Sequence, residues 1–68
     1  AIDALGISAR EYEVLLQLAA GDSNKHIARH LAISPNTVKT HVARLYEKLE
    51  VTSRTQAIAR ARELSIIA

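Results

Sequence analysis

Four side chains at the spacing of one helix face could contact the edges of DNA bases. They are Asn36, Lys39, Thr40 and Ala43, and a step of about 100° per residue puts them on one side of an α-helix. An amide can pair with adenine N6 and N7, an ammonium can donate to guanine O6 and N7, and a threonine can offer its methyl to thymine or its hydroxyl to a base. Ala43 can add only van der Waals contact. For Asn36 and Lys39 the alternatives are a cap, a phosphate contact or plain solvation.

The stretch SPNTVKTHVARLYEKL predicts the helix that carries this row of side chains. It begins with Ser34, whose hydroxyl can cap free N–H groups, and Pro35, whose fixed φ suits the first helical position. The opposite side is an apolar stripe of Val38, Val42, Leu45 and Leu49. The N-terminal half carries no acidic residue. A helix with a buried apolar back and a polar, cationic front is typical of one that enters the major groove of DNA.

A second group of residues could hold the DNA backbone. Phosphate contacts fix register without reading sequence, and a helix N-terminus with free N–H groups also suits a phosphate. For His41 a half-buried position beside Val38 and Leu45 is an equal alternative. The candidates are Asn24, Lys25, Ser34, Thr37, His41, Arg44 and Arg54.

The charge of the chain is distributed unevenly. The overall net charge is only +2, but residues 1–22 carry a net charge of −3, whereas residues 23–46 carry four basic residues, no acidic one and all three histidines. A solvated charged face would be the ordinary explanation. The complete lack of acids in residues 23–46 favours a polyanionic partner instead.

Metal-dependent and enzymatic functions fit the sequence poorly. His26 and His30 have the four-residue spacing of two zinc ligands, and His41 could be a third. However, there is no cysteine, and Ile27 stands where a zinc protease helix would have its glutamate. Sixty-eight residues also leave little room for a deep substrate pocket. We therefore expect no metal, no cofactor and no enzyme. The alternative to DNA binding is a protein–protein interaction module that uses the basic face of the two helices predicted at about residues 24–31 and 35–49.

The pattern of caps and apolar positions predicts an all-α domain of four helices, at about residues 9–20, 24–31, 35–49 and 54–64. Ser8 with Glu11 forms a capping box at the first helix, and Ser53 with Gln56 forms another at the fourth. Gly21 should end the first helix as a left-handed cap. Residues 1–6 are interpreted as a linker remnant, residues 7–68 as the domain. No membrane span is expected, since no apolar run reaches the necessary length.

Helices 2 and 3 are joined by only three residues, which indicates a helix-turn-helix. Ile33 should plug the angle between the two helices. Ala32 occupies the position where glycine is usual, so the turn should need a strained or alternative conformation. On helix 4, a row of Thr55, Ala59 and Arg62 points outwards and would permit close approach of a second helix, with a plain solvent-facing side as the alternative.

Several motifs in this order resemble one family. They are Ser8-Ala-Arg-Glu, Glu13-Val-Leu, Ile33-Ser-Pro-Asn-Thr-Val-Lys-Thr-His-Val and Ser53-Arg-Thr-Gln-Ala. Together they resemble the LuxR-type helix-turn-helix domain, which is also the output domain of NarL/FixJ-type bacterial response regulators. The resemblance covers about residues 7–64. Two positions depart from it: Glu50 stands where glycine is usual after Lys-Leu, and Ala43 stands where some members have a polar or basic residue.

The resemblance implies the DNA-binding domain of a bacterial, cytoplasmic transcription regulator that acts as a dimer on a two-part site. It implies that Asn36, Lys39 and Thr40 face base edges of double-stranded DNA. It also implies that the helix 4 row of Thr55, Ala59 and Arg62 pairs with the same row of a second copy. Because the chain begins at Ala1 and not at methionine, we expect it to be a fragment whose N-terminal regulatory domain is missing.

Overall fold

The computed structural model describes residues 5–68, which fold into four α-helices. These are α1 (Ala9–Ala19), α2 (Asn24–Leu31), α3 (Pro35–Leu49) and α4 (Arg54–Glu63). Within residues 5–68 there is no strand, and no helix is long and apolar enough to cross a membrane. The prediction of an all-α, four-helix domain is confirmed. The bounds of α2 and α3 agree with it, while α1 and α4 each end one residue earlier than predicted.

A serine caps the start of every one of these four helices. The side chains of Ser8, Ser23, Ser34 and Ser53 each accept a hydrogen bond from the backbone N–H three residues later, so one otherwise unpaired donor is satisfied at each start. At α1 the Glu11 side chain also accepts from Ser8 N–H at 2.9 Å, which completes the capping box.

The second predicted capping box is wrong in one half. Ser53 Oγ accepts from Gln56 N–H at 3.2 Å as expected. The Gln56 side chain, however, does not reach back to the N–H of the cap residue. Its Oε1 accepts from both the N–H and the hydroxyl of Thr52, at 2.9 and 3.0 Å. Thr52 offers two donors at one place, whereas the cap N–H offers only one.

All four helices end in the same hydrogen-bond pattern, in which a left-handed residue turns the chain back across the last helical turn. That residue is Gly21 after α1, with a φ of +93°, as the sequence predicts. After α2, α3 and α4 it is Ala32, Glu50 and Ser65, with φ of +57° to +58°. The cap also explains the early ends of α1 and α4, because Ala20 and Leu64 act as cap residues. Each non-glycine residue in this conformation costs about 1 kcal/mol.

The third helix is the centre of the packing. It contacts α1, α2 and α4, and α1 also contacts α4. The buried apolar residues between positions 5 and 68 are all aliphatic, which agrees with a chain that has no Phe, Trp or Met. Of the predicted linker, residues 1–4 lie outside the described residues. Leu5 packs against the core, and the Gly6 carbonyl accepts a hydrogen bond from Lys48. The buried apolar residues are Ile7, Val14, Leu15, Leu18, Ile27, Ala28, Val38, Leu45, Leu49, Ala57, Ala61, Ile66 and Ile67.

Candidate nucleic-acid interface

The predicted front of α3 lies in solvent. All four candidate base-reading side chains, Asn36, Lys39, Thr40 and Ala43, are exposed. The opposite side of the helix is held in the core, where Val38, Leu45 and Leu49 are at most 1% exposed. The division of α3 into an anchoring back and an accessible front is therefore as the spacing predicts.

Two members of this row differ in how much hydrogen-bonding capacity they keep. Thr40 Oγ1 donates to the Asn36 carbonyl at 3.1 Å, so the hydroxyl proton is used inside the helix. What remains to face a ligand is a methyl group and the two acceptor lone pairs of the hydroxyl oxygen. Lys39 makes no hydrogen bond or ion pair with any residue between 5 and 68, and its ammonium keeps all three donors.

The start of α3 carries a small group of donors. Ser34 Oγ accepts from Thr37 N–H at 3.1 Å and lies 2.9 Å from Thr37 Oγ1. Whichever hydroxyl donates in that pair, the second hydroxyl proton remains free for another acceptor. Pro35 has no N–H and Thr37 uses its own, so in the described chain the Asn36 N–H is the unpaired backbone donor of this first turn. The several free N–H groups expected at this end are thus reduced to one, with a hydroxyl proton beside it.

The other phosphate candidates on α2 and α3 differ in exposure. Lys25 and Arg44 are exposed, and neither forms an ion pair within the part of the chain that the structure describes. Asn24 is the first residue of α2 and is partly buried. His41 is half-buried, and its Nδ1 is buried without a hydrogen-bond partner among residues 5–68. His41 is thus half-buried, as one of its two alternatives predicts, and the exposed part of its ring keeps it a candidate for a phosphate contact.

Arg54 has a contact inside the fold that the sequence did not suggest. Its Nη2 donates to the Leu18 carbonyl at 2.7 Å, so the first residue of α4 is tied to the end of α1. The Leu18 carbonyl also accepts from Gly21 N–H at 3.1 Å, so Arg54 uses the second acceptor lone pair of that oxygen. An arginine has five N–H donors, and a phosphate contact by Arg54 would have to use the others.

The outward row of α4 is exposed as the spacing predicts. Thr55, Ala59 and Arg62 all lie in solvent. Arg62 Nε donates to the Ala68 carbonyl at 3.3 Å, which draws this side chain towards the end of the chain. The centre of the row is therefore the small side chain of Ala59, and the long side chain of Arg62 is directed away from it.

The histidines of α2 do not assemble a metal site. His26 Nε2 lies 3.9 Å from an Asp22 carboxylate oxygen. Nowhere in residues 5–68 do three or more His, Cys, Asp or Glu side chains lie close enough to share an ion. The same residues enclose no pocket.

At the far end of α3, a half-buried lysine forms an ion pair with a buried carboxylate that the sequence does not indicate. Glu11 is only 3% exposed, and its Oε1 lies 2.6 Å from Lys48 Nζ. Burial alone would raise the pKa of the Glu11 carboxyl, but hydrogen bonds from Lys48 and Ser8 outweigh it and hold that pKa below its ordinary value. In the sequence the capping box alone accounts for a glutamate at position 11, and its partner Lys48 lies 37 residues away. No local pattern indicates such a pair.

Comparison with known proteins places this arrangement in a family. The family model described as "Bacterial regulatory proteins, luxR family" matches residues 5–61. The chain is 56% identical over 55 residues to the "Probable transcriptional regulatory protein NarL" of Mycobacterium tuberculosis, which covers 81% of this chain and 26% of that protein. It is 46% identical over 61 residues to the "Response regulator protein VraR" of Staphylococcus aureus, which covers 90% of this chain and 29% of that protein.

A solved structure agrees with these relatives. The response regulator ChrA of a heme-sensing two-component system matches 90% of this chain and 30% of its own, with a TM-score of 0.87 and 49% identity. The chain spans 26–30% of the length of these three proteins. These relatives are regulators, and the family is one of DNA-binding proteins and not of enzymes. The chain belongs to the luxR family of bacterial regulatory proteins, as a helix-turn-helix DNA-binding domain of the transcriptional-regulator type.

Proposed function

We propose that this domain binds double-stranded DNA in a sequence-specific manner by inserting α3 into the major groove. The observation that carries the proposal is the front of α3: a row of exposed side chains, with an unpaired ammonium at Lys39, on a helix whose back is fixed in the core. Lys39 donates to guanine O6 and N7, and Asn36 pairs with adenine. Thr40 offers its methyl to thymine, since its hydroxyl proton is already bonded to the Asn36 carbonyl.

The DNA backbone is held on both sides of this row. The first turn of α3 offers two neighbouring donors to one phosphate, the Asn36 N–H and the spare hydroxyl proton of Ser34 and Thr37. Lys25 and Arg44 add charge that no acidic residue between 5 and 68 neutralises. The remaining phosphate contacts are proposed for Asn24, His41 and the free donors of Arg54. None of them reads a base; together they fix the register of α3.

Two copies of the domain pair through the exposed row of α4. The small side chain of Ala59, between Thr55 and Arg62, allows the backbones of two α4 helices to approach closely. A two-fold pair of this kind requires two half-sites about one turn of DNA apart. Direct readout by a few short side chains is modest, so the second half-site supplies part of the specificity.

The domain acts as the output of a longer regulator in the bacterial cytoplasm. It spans only 26–29% of the two curated relatives described above, one of which is named a response regulator. An N-terminal regulatory domain preceding residues 7–68 would control whether two copies pair on DNA.

Selection from a randomised duplex library at two salt concentrations tests DNA binding and readout. The wild type should enrich a two-part motif, and its affinity should fall log-linearly with salt because bound cations are released from the DNA. Lys39→Ala should enrich the same motif with one position blurred. Lys25→Ala is the matched control, which should lose affinity equally for all sequences and lower the salt slope by about 1. Weak binding without sequence preference would overturn the proposal and favour an acidic protein as the partner of the basic face.

Dimerisation is tested separately by Ala59→Glu, which places a charge at the closest point of the α4 pair. Binding to the two-part site should lose its cooperativity, while binding to a single half-site stays as in the wild type. Arg60→Ala, on the same helix but about 100° around its axis from Ala59, serves as the control. Unchanged cooperativity in Ala59→Glu would remove α4 from the interface.

A further inference from the structure

The last turn of α3 is joined to the first turn of α1 through a single ammonium group. Lys48 Nζ donates to Glu11 Oε1 at 2.6 Å and to the Gly6 carbonyl at 2.7 Å. Glu11 is itself fixed, because Oε1 accepts from Ser8 N–H at 2.9 Å and the Glu11 N–H donates to Ser8 Oγ at 3.1 Å. A continuous set of directional bonds therefore runs from the N-terminal cap of α1 to the C-terminal end of α3.

The other contacts that the back of α3 makes within residues 5–68 are apolar. Val38, Leu45 and Leu49 are buried among aliphatic side chains, and apolar contacts of this sort are not directional. They hold the helix against the core but define its rotation about its own axis only through shape. The bonds of Lys48 define that rotation through angles and distances, because the carboxylate that receives the ammonium is nearly inaccessible to solvent.

The rotation of α3 matters for reading bases. Side-chain tips lie about 5–6 Å from the helix axis, so a rotation of about 10° moves them by about 1 Å. Hydrogen bonds tolerate a donor–acceptor spread of only about 0.5 Å. A small rotation would therefore misplace Lys39, nine residues or about 13 Å along the axis from Lys48, without removing the helix from the groove.

From this geometry we propose that Glu11 and Lys48 are positioning residues for base readout. By fixing the rotation of α3, the pair makes discrimination between bases depend on two side chains that do not touch DNA. The inference rests on the proposed insertion of α3 into the major groove. It differs from a purely structural role, which would lower stability and leave discrimination as it is.

The decisive variant removes both charges at once. Glu11→Leu/Lys48→Met keeps the net charge of the domain, and well-packed apolar replacements of a buried ion pair are commonly tolerated. Affinity is measured for the motif selected by the wild type, for duplexes with one changed base pair and for random duplex. We expect the ratio of matched to mismatched affinity to fall about tenfold, the value of one good base contact. Affinity for random duplex and the salt slope should stay unchanged.

A matched control and a milder variant accompany this measurement. Arg10→Met/Glu13→Leu removes an ion pair that lies within α1 and in solvent, where the two side chains are 45% and 52% exposed. Discrimination between bases should not change in this control. Glu11→Gln keeps an acceptor oxygen for Lys48 and Ser8 but no charge, so it should fold and show a smaller loss. All variants are compared at a temperature where circular dichroism shows them folded. A folded double variant, or a folded Glu11→Gln, with wild-type discrimination would overturn the inference.

A measurement without DNA separates this inference from the proposed function. Residual dipolar couplings of the α3 amides, relative to those of α1, report the orientation of one helix against the other. We expect the α3 couplings to change in Glu11→Leu/Lys48→Met and to match the wild type in Arg10→Met/Glu13→Leu. Unchanged couplings in the first variant would overturn the positioning role even if DNA binding by the wild type is established. Changed couplings would show that the pair fixes the orientation of α3, and the role in base readout would then fall only with the proposed DNA binding itself.

Discussion

The first half of α3 and its last turn use their polar side chains in opposite ways. In the first half, Lys39 is exposed and has no partner among residues 5–68. In the last turn, Lys48 is bonded to a carboxylate and a carbonyl of the neighbouring chain segment. The two lysines have the same chemistry and lie on one helix. The difference is that Lys48 faces α1, which supplies a buried acid, while Lys39 faces solvent.

This contrast shows how one helix can be both anchored and available. A cation whose charge is already matched within the fold adds to stability and contributes little to attraction of a polyanion. A cation without a partner adds little to stability and is available for phosphate or base edges. Counting basic residues therefore overstates the binding surface, and the arrangement of partners decides which cations belong to it.

The same substitution at the two lysines should give the largest difference between the two ends. Lys48→Met leaves the Glu11 carboxylate buried without its cation, and we expect it to lower the free energy of unfolding by about 3 kcal/mol. Lys39→Met should change that free energy by less than about 0.5 kcal/mol. Urea unfolding followed by circular dichroism measures both. Equal losses in the two variants would contradict the distinction between them.

For DNA binding, by contrast, we expect the substitution at Lys39 to have the larger effect. Lys39→Ala should cost about 1–3 kcal/mol in affinity for the selected motif and relax preference at one base pair, while the fold stays as stable as the wild type. Fluorescence anisotropy with matched and mismatched duplexes measures both quantities. Loss of affinity without any change in base preference would make Lys39 a phosphate contact.

The stabilising effect of the ion pair between Glu11 and Lys48 should depend on pH in the acid range. The pKa of Glu11 lies below its ordinary value of 4.5 in the folded protein, so the folded state favours the ionised carboxylate. Its contribution is therefore fully present above pH 4.5 and is lost as the pH falls through the lowered pKa. Thermal unfolding between pH 6 and pH 2.5 should show a steeper loss for the wild type than for Glu11→Gln. Parallel curves would mean that Glu11 does not sense its partner.

The sequence predicts those parts of the fold that interactions within one or two helical turns determine. The serine caps, the proline after Ser34 and the apolar spacing act within one or two turns, and they give the bounds of α2 and α3 correctly. The prediction is wrong where two local hydrogen bonds compete for one side chain. Gln56 accepts from Thr52 and not from the cap N–H of Ser53. The ends of α1 and α4 differ by one residue because the cap residue itself keeps near-helical dihedral angles.

The candidate site likewise has features that local spacing predicts and features that depend on how the helices pack. Exposure of Asn36, Lys39, Thr40 and Ala43 follows from helical spacing alone, because the apolar stripe decides which side is buried. The back-bonded hydroxyl of Thr40, the contact of Arg54 with Leu18 and the pair of Glu11 with Lys48 do not follow from spacing. The last two join positions 36 and 37 residues apart, and only the packing of the helices brings them together.

The smallest expected effect concerns the boundary of α3 itself. Glu50 holds the left-handed conformation that ends the helix, with φ of +58°, where the family usually has glycine. Glu50→Gly should therefore raise the free energy of unfolding by about 1 kcal/mol, since glycine adopts this conformation without the steric penalty of a Cβ. Glu47→Gly, inside α3 and equally charged, is the control and should lower it by about 1 kcal/mol. DNA discrimination should stay unchanged in Glu50→Gly, because the bonds of Lys48 already fix the rotation of the helix. A change in discrimination would show that the cap at Glu50 shares that task.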